Sequence, residues 1–328
     1  MNRRAYTARR KEKVLEAGGM SFVGGAGGEL VYRFTSESGY GQIRHRLVLP
    51  GVDIMYNDYR MASCTSDMRS SGSLFVLDWC REGRLEYRTA GGSRGFFEAG
   101  DLSIDRRDGH AGTFEFPLGH YVGVSIGIDL GLIALEQPEV ARAMPVDLAA
   151  LQEKFTKPGE RIVLKGDQAL KRMMEGLCEV PDGMRQEYYL VKVQEVLLYL
   201  DAVEPPSGDA ARRYFSKGNV EKVKAMRALM TDDVSRHYTL SDLSEMFGMP
   251  LSSLKSCFKG VYGDSVYSYM RSYRAHRAAV MLSENPSASV SEVAAAVGYA
   301  NQSKFSDAFR AVMGCLPSDY RAEARLAG

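Results

Sequence analysis

The feature that most constrains this chain is a repeat in its last third. Val290, Val293, Ala294 and Val297 recur at three- and four-residue spacing, so an apolar stripe predicts a short helix. Gly298 stops that helix, because the residue just past a helix end often needs a positive φ. A second helix opens three residues later, with Phe305 and Phe309 facing inward and Gln302, Ser303, Ser306, Asp307 and Arg310 facing out. A helix, a glycine turn and a helix with small polar residues outside is the pattern of a helix-turn-helix. Its second helix carries the donors and acceptors that can read base edges in a major groove.

The same pattern stands about fifty residues earlier. Leu240, Leu243 and Phe247 make the first stripe and Gly248 the turn. Leu254 and Phe258 then anchor a helix that exposes Ser252, Ser253, Lys255 and Ser256. The step from glycine to anchor runs from Gly248 to Leu254 in one copy and from Gly298 to Phe305 in the other, so the second turn is one residue longer. Between the copies, Val266 to Leu282 reads as one continuous helix, with Tyr269, Met270, Tyr273, Val280 and Met281 on its apolar side. A rigid helix between two such modules would set them in successive major grooves, roughly 34 Å apart along the duplex.

Two helix-turn-helix copies joined by a helix carrying Arg274, Ala278, Met281 and Leu282 resemble the DNA-binding domain of the AraC/XylS family of transcription regulators. The closing run Gly314-Cys315-Leu316-Pro317-Ser318-Asp319-Tyr320-Arg321 is similar to that family's Gly-x-x-Pro-x-x-Tyr-Arg ending, and the resemblance covers roughly residues 218 to 325. This chain departs from the family in four places. Ser244 replaces a usual Ala, and Pro250-Leu251 stand where a capping Ser and a Pro usually open the first recognition helix. Ser252 or Ser253 is expected to cap that helix one turn later, since a lost cap costs about 1 kcal/mol. Lys304 stands where an aromatic is frequent and Asp307 where a base sometimes stands. Asp307 would repel phosphate, so it either accepts from a cytosine amino group or pairs with Arg310.

Charge alone would not point to DNA. The whole chain has a formal net charge of +1, and from Lys217 onward 14 Lys and Arg face 11 Asp and Glu, a net of +3. Helix N-termini and backbone amides can hold phosphate without formal charge. At 328 residues, 45% hydrophobic and 25% charged, the chain has the composition of a two-domain globular protein. There is no membrane-length apolar run and no signal-peptide pattern, and a cytoplasmic location is expected. Cys64, Cys80, Cys178, Cys257 and Cys315 are scattered without metal-ligand spacing and read as reduced thiols.

The N-terminal two-thirds divides by composition. Residues 1–29 are basic (Arg3, Arg4, Arg9, Arg10, Lys11, Lys13) and then Gly-rich without phosphate-loop spacing, a flexible lead-in. From 30 to 135, short alternating runs suggest a sandwich or barrel: Leu47 to Tyr59, Leu74 to Cys80, Leu85 to Arg88, Phe96 to Ile104 and Tyr121 to Ile128. The Arg81-Glu82-Gly83 turn and Gly100-Asp101-Leu102 resemble the cupin-like jelly roll found N-terminally in AraC relatives. A catalytic cupin would show two His one residue apart with a nearby Glu. His45, His110 and His120 have no such spacing, and Arg44 and Arg46 flank His45, so neither metal nor other cofactor is expected. A small-molecule pocket inside the barrel is expected instead. Trp79, Phe75, Tyr87, Phe96 and Phe114 are candidates to line it or to fill the core.

Residues 136–204 turn helical, with stripes at Leu148-Leu151-Phe155, Leu170-Met173-Met174-Leu177 and Tyr189-Val193-Val196-Leu197-Leu200. The last helix, about Gln186 to Val203, is apolar over a wide face that either packs on the barrel or meets a second subunit at Val193 and Leu197. The family resemblance implies a dimer contact there. Residues 205–217 have linker composition, including Pro205-Pro206-Ser207-Gly208-Asp209, and 218–328 form the double helix-turn-helix domain.

The fold class expected is therefore α+β multidomain: an all-β cupin-like barrel, a helical connector and an all-α reader. The function expected is sequence-specific regulation of transcription, with no enzyme activity. Its partners would be double-stranded DNA, a small-molecule effector, a second copy of the chain and, for an activator, RNA polymerase. Base contacts fall to Ser252, Lys255, Ser256, Gln302, Ser303, Ser306 and Asp307, with Gln302 on an adenine edge the sharpest assignment. Lys259, Lys304 and Arg310 are placed on phosphate. Control by a protein partner and a cupin enzyme fused to a DNA reader stand as alternatives. A methyl-accepting cysteine regulator would need a cysteine cluster that the chain lacks.

Overall fold

The computed structural model describes residues 21–26, 28–66, 73–89, 91–107, 112–136, 138–156, 160–180, 186–206, 214–285 and 287–327. The basic arm, His110 and Ser207 to Asp209 lie outside the described residues. The chain divides into two units, residues 1–214 and 215–328.

The first unit is built on antiparallel strands β1 (Ser21–Ala26), β2 (Glu29–Ser36), β3 (Gly39–Leu49), β4 (Val52–Met61), β5 (Ser63–Ser66), β6 (Leu74–Arg88), β7 (Arg94–Glu98), β8 (Leu102–Asp105), β9 (Gly112–Glu115), β10 (Tyr121–Asp129) and β11 (Ile162–Leu164). The main order is β1-β2-β3-β4-β10-β6-β8-β11, with β7, β9 and β5 carried on the far half of β6. The sheet curls because β6 serves two sets of neighbours. Its first half pairs with β10 and β8, its second with β7 and β9. The Arg81-Glu82-Gly83 segment, expected as a turn, is instead a bulge inside this one strand, where the register against β10 slips. Gly83 takes φ +87° there. The run from Leu47 to Tyr59 is likewise not one strand: it is the end of β3, a turn at Gly51 and most of β4. The Gly-rich lead-in is also structured from Ser21, where β1 pairs with β2.

Helices α1 (Leu130–Glu136), α2 (Pro138–Ala143), α3 (Leu148–Phe155), α4 (Gln168–Cys178) and α5 (Gln186–Ala202) follow, with β11 inserted between α3 and α4. These helices pack directly on the sheet. Ile54, Leu77, Trp79, Val124 and Ile126 from one face of the sheet share a single core with Leu151, Phe155, Leu170, Met174, Val193, Leu197 and Leu200 from the helices. Val193 and Leu197, for which the sequence left open the barrel or a second subunit, are fully buried in this core. The apolar residues that α5 leaves outside are Val191 (57% exposed) and Leu198 (50%), seven apart on one helical face.

The second unit holds α6 (Lys217–Asp232), α7 (Leu240–Met246), α8 (Leu251–Tyr262), α9 (Val266–Glu284), α10 (Val290–Ala296), α11 (Gln302–Met313) and α12 (Pro317–Ala327). The α9 stripe differs from expectation. Ala275, Ala278, Ala279 and Leu282 are buried, whereas Val280 is 42% exposed. Small alanines suit this face because α10, α11 and α12 bring Val293, Val297, Phe305, Phe309 and Tyr320 into the same cluster.

Candidate nucleic-acid interface

The two helix pairs, α7 with α8 and α10 with α11, are built by the same local chemistry. Each first helix opens on a reciprocal capping box. Thr239 accepts from the Asp242 amide while Asp242 accepts from the Thr239 amide, and Ser289 and Glu292 do the same fifty residues on. These bonds hold the Asp242 and Glu292 carboxyls below the usual range. Each turn then passes through a left-handed glycine, Gly248 at φ +53° and Gly298 at φ +87°. At Gly298 a side chain would also press on the Ser235 carbonyl, 2.6 Å from the Cβ position. The gaps between paired helices are residues 247–250 and 297–301, so the second turn is one residue longer. Each second helix ends on another left-handed glycine, Gly263 and Gly314.

The openings of the two recognition helices differ. Asn301 Oδ1 caps α11, accepting from the amides of Ser303 (2.9 Å) and Lys304 (3.1 Å). Pro250 occupies the corresponding place on α8 and makes no side-chain cap. The expected rescue by Ser252 or Ser253 does not occur, because α8 already begins at Leu251 and both serines lie inside it.

Leu254 and Phe258 are buried beneath α8, leaving Ser252, Lys255, Ser256 and Lys259 exposed on one side of the helix. Phe305 and Phe309 anchor α11, and Gln302, Ser303, Lys304, Asp307 and Arg310 are exposed. Ser306, half-buried, is less accessible than its neighbours. Asp307 sits 3.4 Å from Arg310, so of its two expected roles the structure displays the ion pair. Sequence reading overlooked Leu251, 41% exposed at the first position of α8 and an apolar group that could meet a thymine methyl.

The long helix locks the second module in place through a buried arginine. Arg274 donates from Nε to the Val234 carbonyl (3.0 Å) and from Nη2 to the Arg236 carbonyl (2.9 Å). Its Nη1 lies 3.3 Å from His237 Nδ1, and His237 Nε2 lies 2.6 Å from the Gly298 carbonyl. A carbonyl can only accept, so Nε2 carries the proton and Nδ1 accepts from Arg274. The turn of the second helix pair is thus tied to α9 by a chain of hydrogen bonds.

Residues 243–323 match a family described as a helix-turn-helix domain. The chain is 27% identical over 104 residues to the HTH-type transcriptional activator RhaR of Mannheimia succiniciproducens, covering 32% of this chain and 37% of that protein. It is 30% identical over 132 residues to the HTH-type transcriptional regulator ExsA of Pseudomonas aeruginosa, covering 40% and 46%. It is 28% identical over 188 residues to the XylDLEGF operon transcriptional activator 1 of Pseudomonas putida, covering 53% and 56%. Two helix pairs at a fixed offset, the closing Pro317-Ser318-Asp319-Tyr320-Arg321 and these relatives decide the assignment. The second unit is a helix-turn-helix domain similar to those of AraC/XylS-type regulators. The chain spans between about a third and about half the length of these curated relatives.

The first unit supplies further chemistry. His45 is buried and lies 3.0 Å from Asp53. Arg44 and Arg46 do not crowd it, because strand alternation sends them to the other face, over the Tyr56 and Tyr189 rings. His120 Nδ1 lies 3.2 Å from the Leu118 carbonyl. Among the described residues no three His, Cys, Asp or Glu side chains are grouped to hold a metal. Beside the His45–Asp53 pair, Asn57 donates to Ser125 (2.8 Å) and Ser125 to Asp78 (2.6 Å), while Arg107 donates to Asp78 (2.6 Å). Trp79 and Phe75 belong to the helix-facing core and Tyr87 to a second aromatic cluster, with Phe114 packed against it. Phe96 lies beneath the Arg84 guanidinium. A cavity of about 160 Å³ opens elsewhere, where Gln42, Arg44, Tyr56, Arg81 and Val122 meet Cys178 at the end of α4. Burial raises the Cys178 thiol above its ordinary value. No helix among the described residues is long and apolar enough to cross a membrane.

Proposed function

We propose that this chain is a sequence-specific DNA-binding regulator of transcription. The observation that carries the reading is the paired architecture: two helices, α8 and α11, with apolar backs and exposed Ser, Lys and Gln faces, each behind a capped helix and a left-handed glycine. Ser252, Lys255 and Ser256 would read one groove and Gln302, Ser303, Ser306 and Asp307 the next, with Lys259, Lys304 and Arg310 on phosphate. Asp307, held by Arg310, would reach a base only after releasing that partner. Selection of duplexes from a random library by the full chain tests the reading. Enrichment of two short boxes one helical turn apart is the expected result, and no enrichment overturns it.

Activation rather than repression follows the names of RhaR and the XylDLEGF activator. Control by a small molecule fits a chain in which residues 30–135 sense, 136–204 relay, 205–217 link and 218–328 read. The cavity beside Tyr56 and Cys178 is a place where such an effector could sit, in contrast to the barrel interior expected from the pattern. An effector would act only through its difference in affinity between two states of the regulator. A homodimer would use the α5 face carrying Val191 and Leu198, and an activator would contact RNA polymerase. A thermal-shift screen of metabolites against the full chain tests effector control, and a flat screen removes it.

A further inference from the structure

Most cations of the second unit that leave the solvent have a partner. Arg274 is held by two backbone carbonyls, and Arg227 donates from Nε to the Tyr269 hydroxyl at 2.9 Å and lies over the Tyr273 ring. Arg271, one turn from Tyr267 on α9, is different. It is half-buried, its Nε is shut off from water without a hydrogen-bond partner, and no described carboxylate pairs with it. An Nε–H in this condition has lost hydration without compensation, which is unfavourable until an acceptor arrives.

Two phenols stand beside it. Tyr267, four residues earlier on the same helical face, is 76% exposed. Tyr299, in the turn that leads into α11, lies within electrostatic reach of both Arg271 and Tyr267. The His237 bond to the Gly298 carbonyl holds that turn against α9. One guanidinium and two phenols therefore lie within electrostatic range of one another where the connecting helix meets the second helix pair. All three groups can donate, and a planar guanidinium beside hydroxyl donors suits the tetrahedral oxygens of a phosphate.

We propose that Arg271, with Tyr267 and Tyr299, is a docking site for one backbone phosphate of the duplex lying between the two boxes. The inference rests on the DNA-binding reading and deepens it. Two recognition helices in successive major grooves leave a stretch of backbone between them, and the connecting helix is the element that spans it. Such a contact sets register and carries no base information.

The test uses the full chain and a duplex selected by the wild-type protein, titrated with KCl. Arg271→Ala is expected to lower the slope of log affinity against log salt by about one and to leave the base preference unchanged. Arg271→Lys keeps the slope, and Tyr267→Phe weakens binding less than Arg271→Ala does. Replacing phosphates one at a time by methylphosphonate should weaken wild-type binding at one position between the boxes. That same replacement should have no further effect on Arg271→Ala. An unchanged slope, or the absence of a sensitive phosphate between the boxes, overturns the site even if Arg271→Ala also lowers the melting temperature. The methylphosphonate scan on the wild-type chain decides the matter should Arg271→Ala fail to fold. A wild-type chain that binds no duplex at all overturns the DNA reading together with this one.

Discussion

At the scale of single residues, exposure and partners separate the side chains that can read DNA from those that hold the reader together. Gln302 is exposed one position past the Asn301 cap, so its amide is free to take an adenine edge. Gln302→Ala is expected to lose roughly 1–3 kcal/mol of binding and to relax preference at one base pair. Lys259→Ala should weaken all sequences alike and flatten the salt dependence. Quantitative binding to a panel of single-substituted duplexes checks both, and a uniform effect of Gln302→Ala would remove it as a base reader. Arg274 belongs to the other class. Arg274→Ala leaves the Val234 and Arg236 carbonyls and His237 Nδ1 without their donor, and a loss on the order of 3 kcal/mol in the second unit is expected from chemical denaturation. Sequence periodicity had placed Arg274 only as a resemblance to the family, since an arginine on a helical stripe does not announce which carbonyls it will find.

At the scale of elements, the matched capping boxes are the clearest local devices. Thr239→Ala and Ser289→Ala are each expected to destabilise the second unit by about 1 kcal/mol, read as a lower melting temperature. The same boxes carry a pH signature. Asp242 and Glu292 have folded-state pKa values below the ordinary ones, so the stability they contribute is present above the unfolded values and is lost as pH falls through the folded ones. Melting of the second unit should therefore weaken progressively below the ordinary carboxylate range. That acid sensitivity should shrink when both Asp242 and Glu292 are replaced by their amides. The recognition helices themselves were legible because Phe258 and Phe309 repeat a turn after Leu254 and Phe305. Their caps were less so. Pro250 leaves α8 uncapped where a later serine was expected, because proline fits the helix opening and lets the first turn start at once.

At the scale of the whole molecule, each of the two units carries its own constraint. Leu197 is fully buried in the core shared by sheet and helices, so Leu197→Glu should unfold the first unit. Val191→Glu and Leu198→Glu change exposed positions and should leave its melting temperature intact. If the outer face of α5 joins two copies, these two variants become monomers in light scattering, and an unchanged dimer would sink that arrangement. For the second unit, inserting half a helical turn between the two DNA boxes is expected to abolish most of the affinity of the full chain. A single rigid α9, nineteen residues long, cannot rotate one module about the duplex to follow. Equal affinity for both spacings would remove the two-groove arrangement.

The amino-acid sequence by itself determined the repeat: stripe, glycine, anchored polar helix, twice, at one offset. That information is local, since a helix turn lies within four residues and a left-handed position selects glycine wherever it occurs. It also determined the three helical stripes at 148–155, 170–177 and 189–200, whose residues are buried as expected. Only the tertiary structure decided what those stripes bury against. Val193 and Leu197 face the chain's own sheet, and β11 joins β8 from within a helical stretch, because partners more than fifty residues away leave no periodic trace. The same holds for β6. Fifteen residues read as strand, turn and strand became one bulged strand, since the pairing of β10, β8, β7 and β9 along it outweighs the local turn preference of Arg81-Glu82-Gly83.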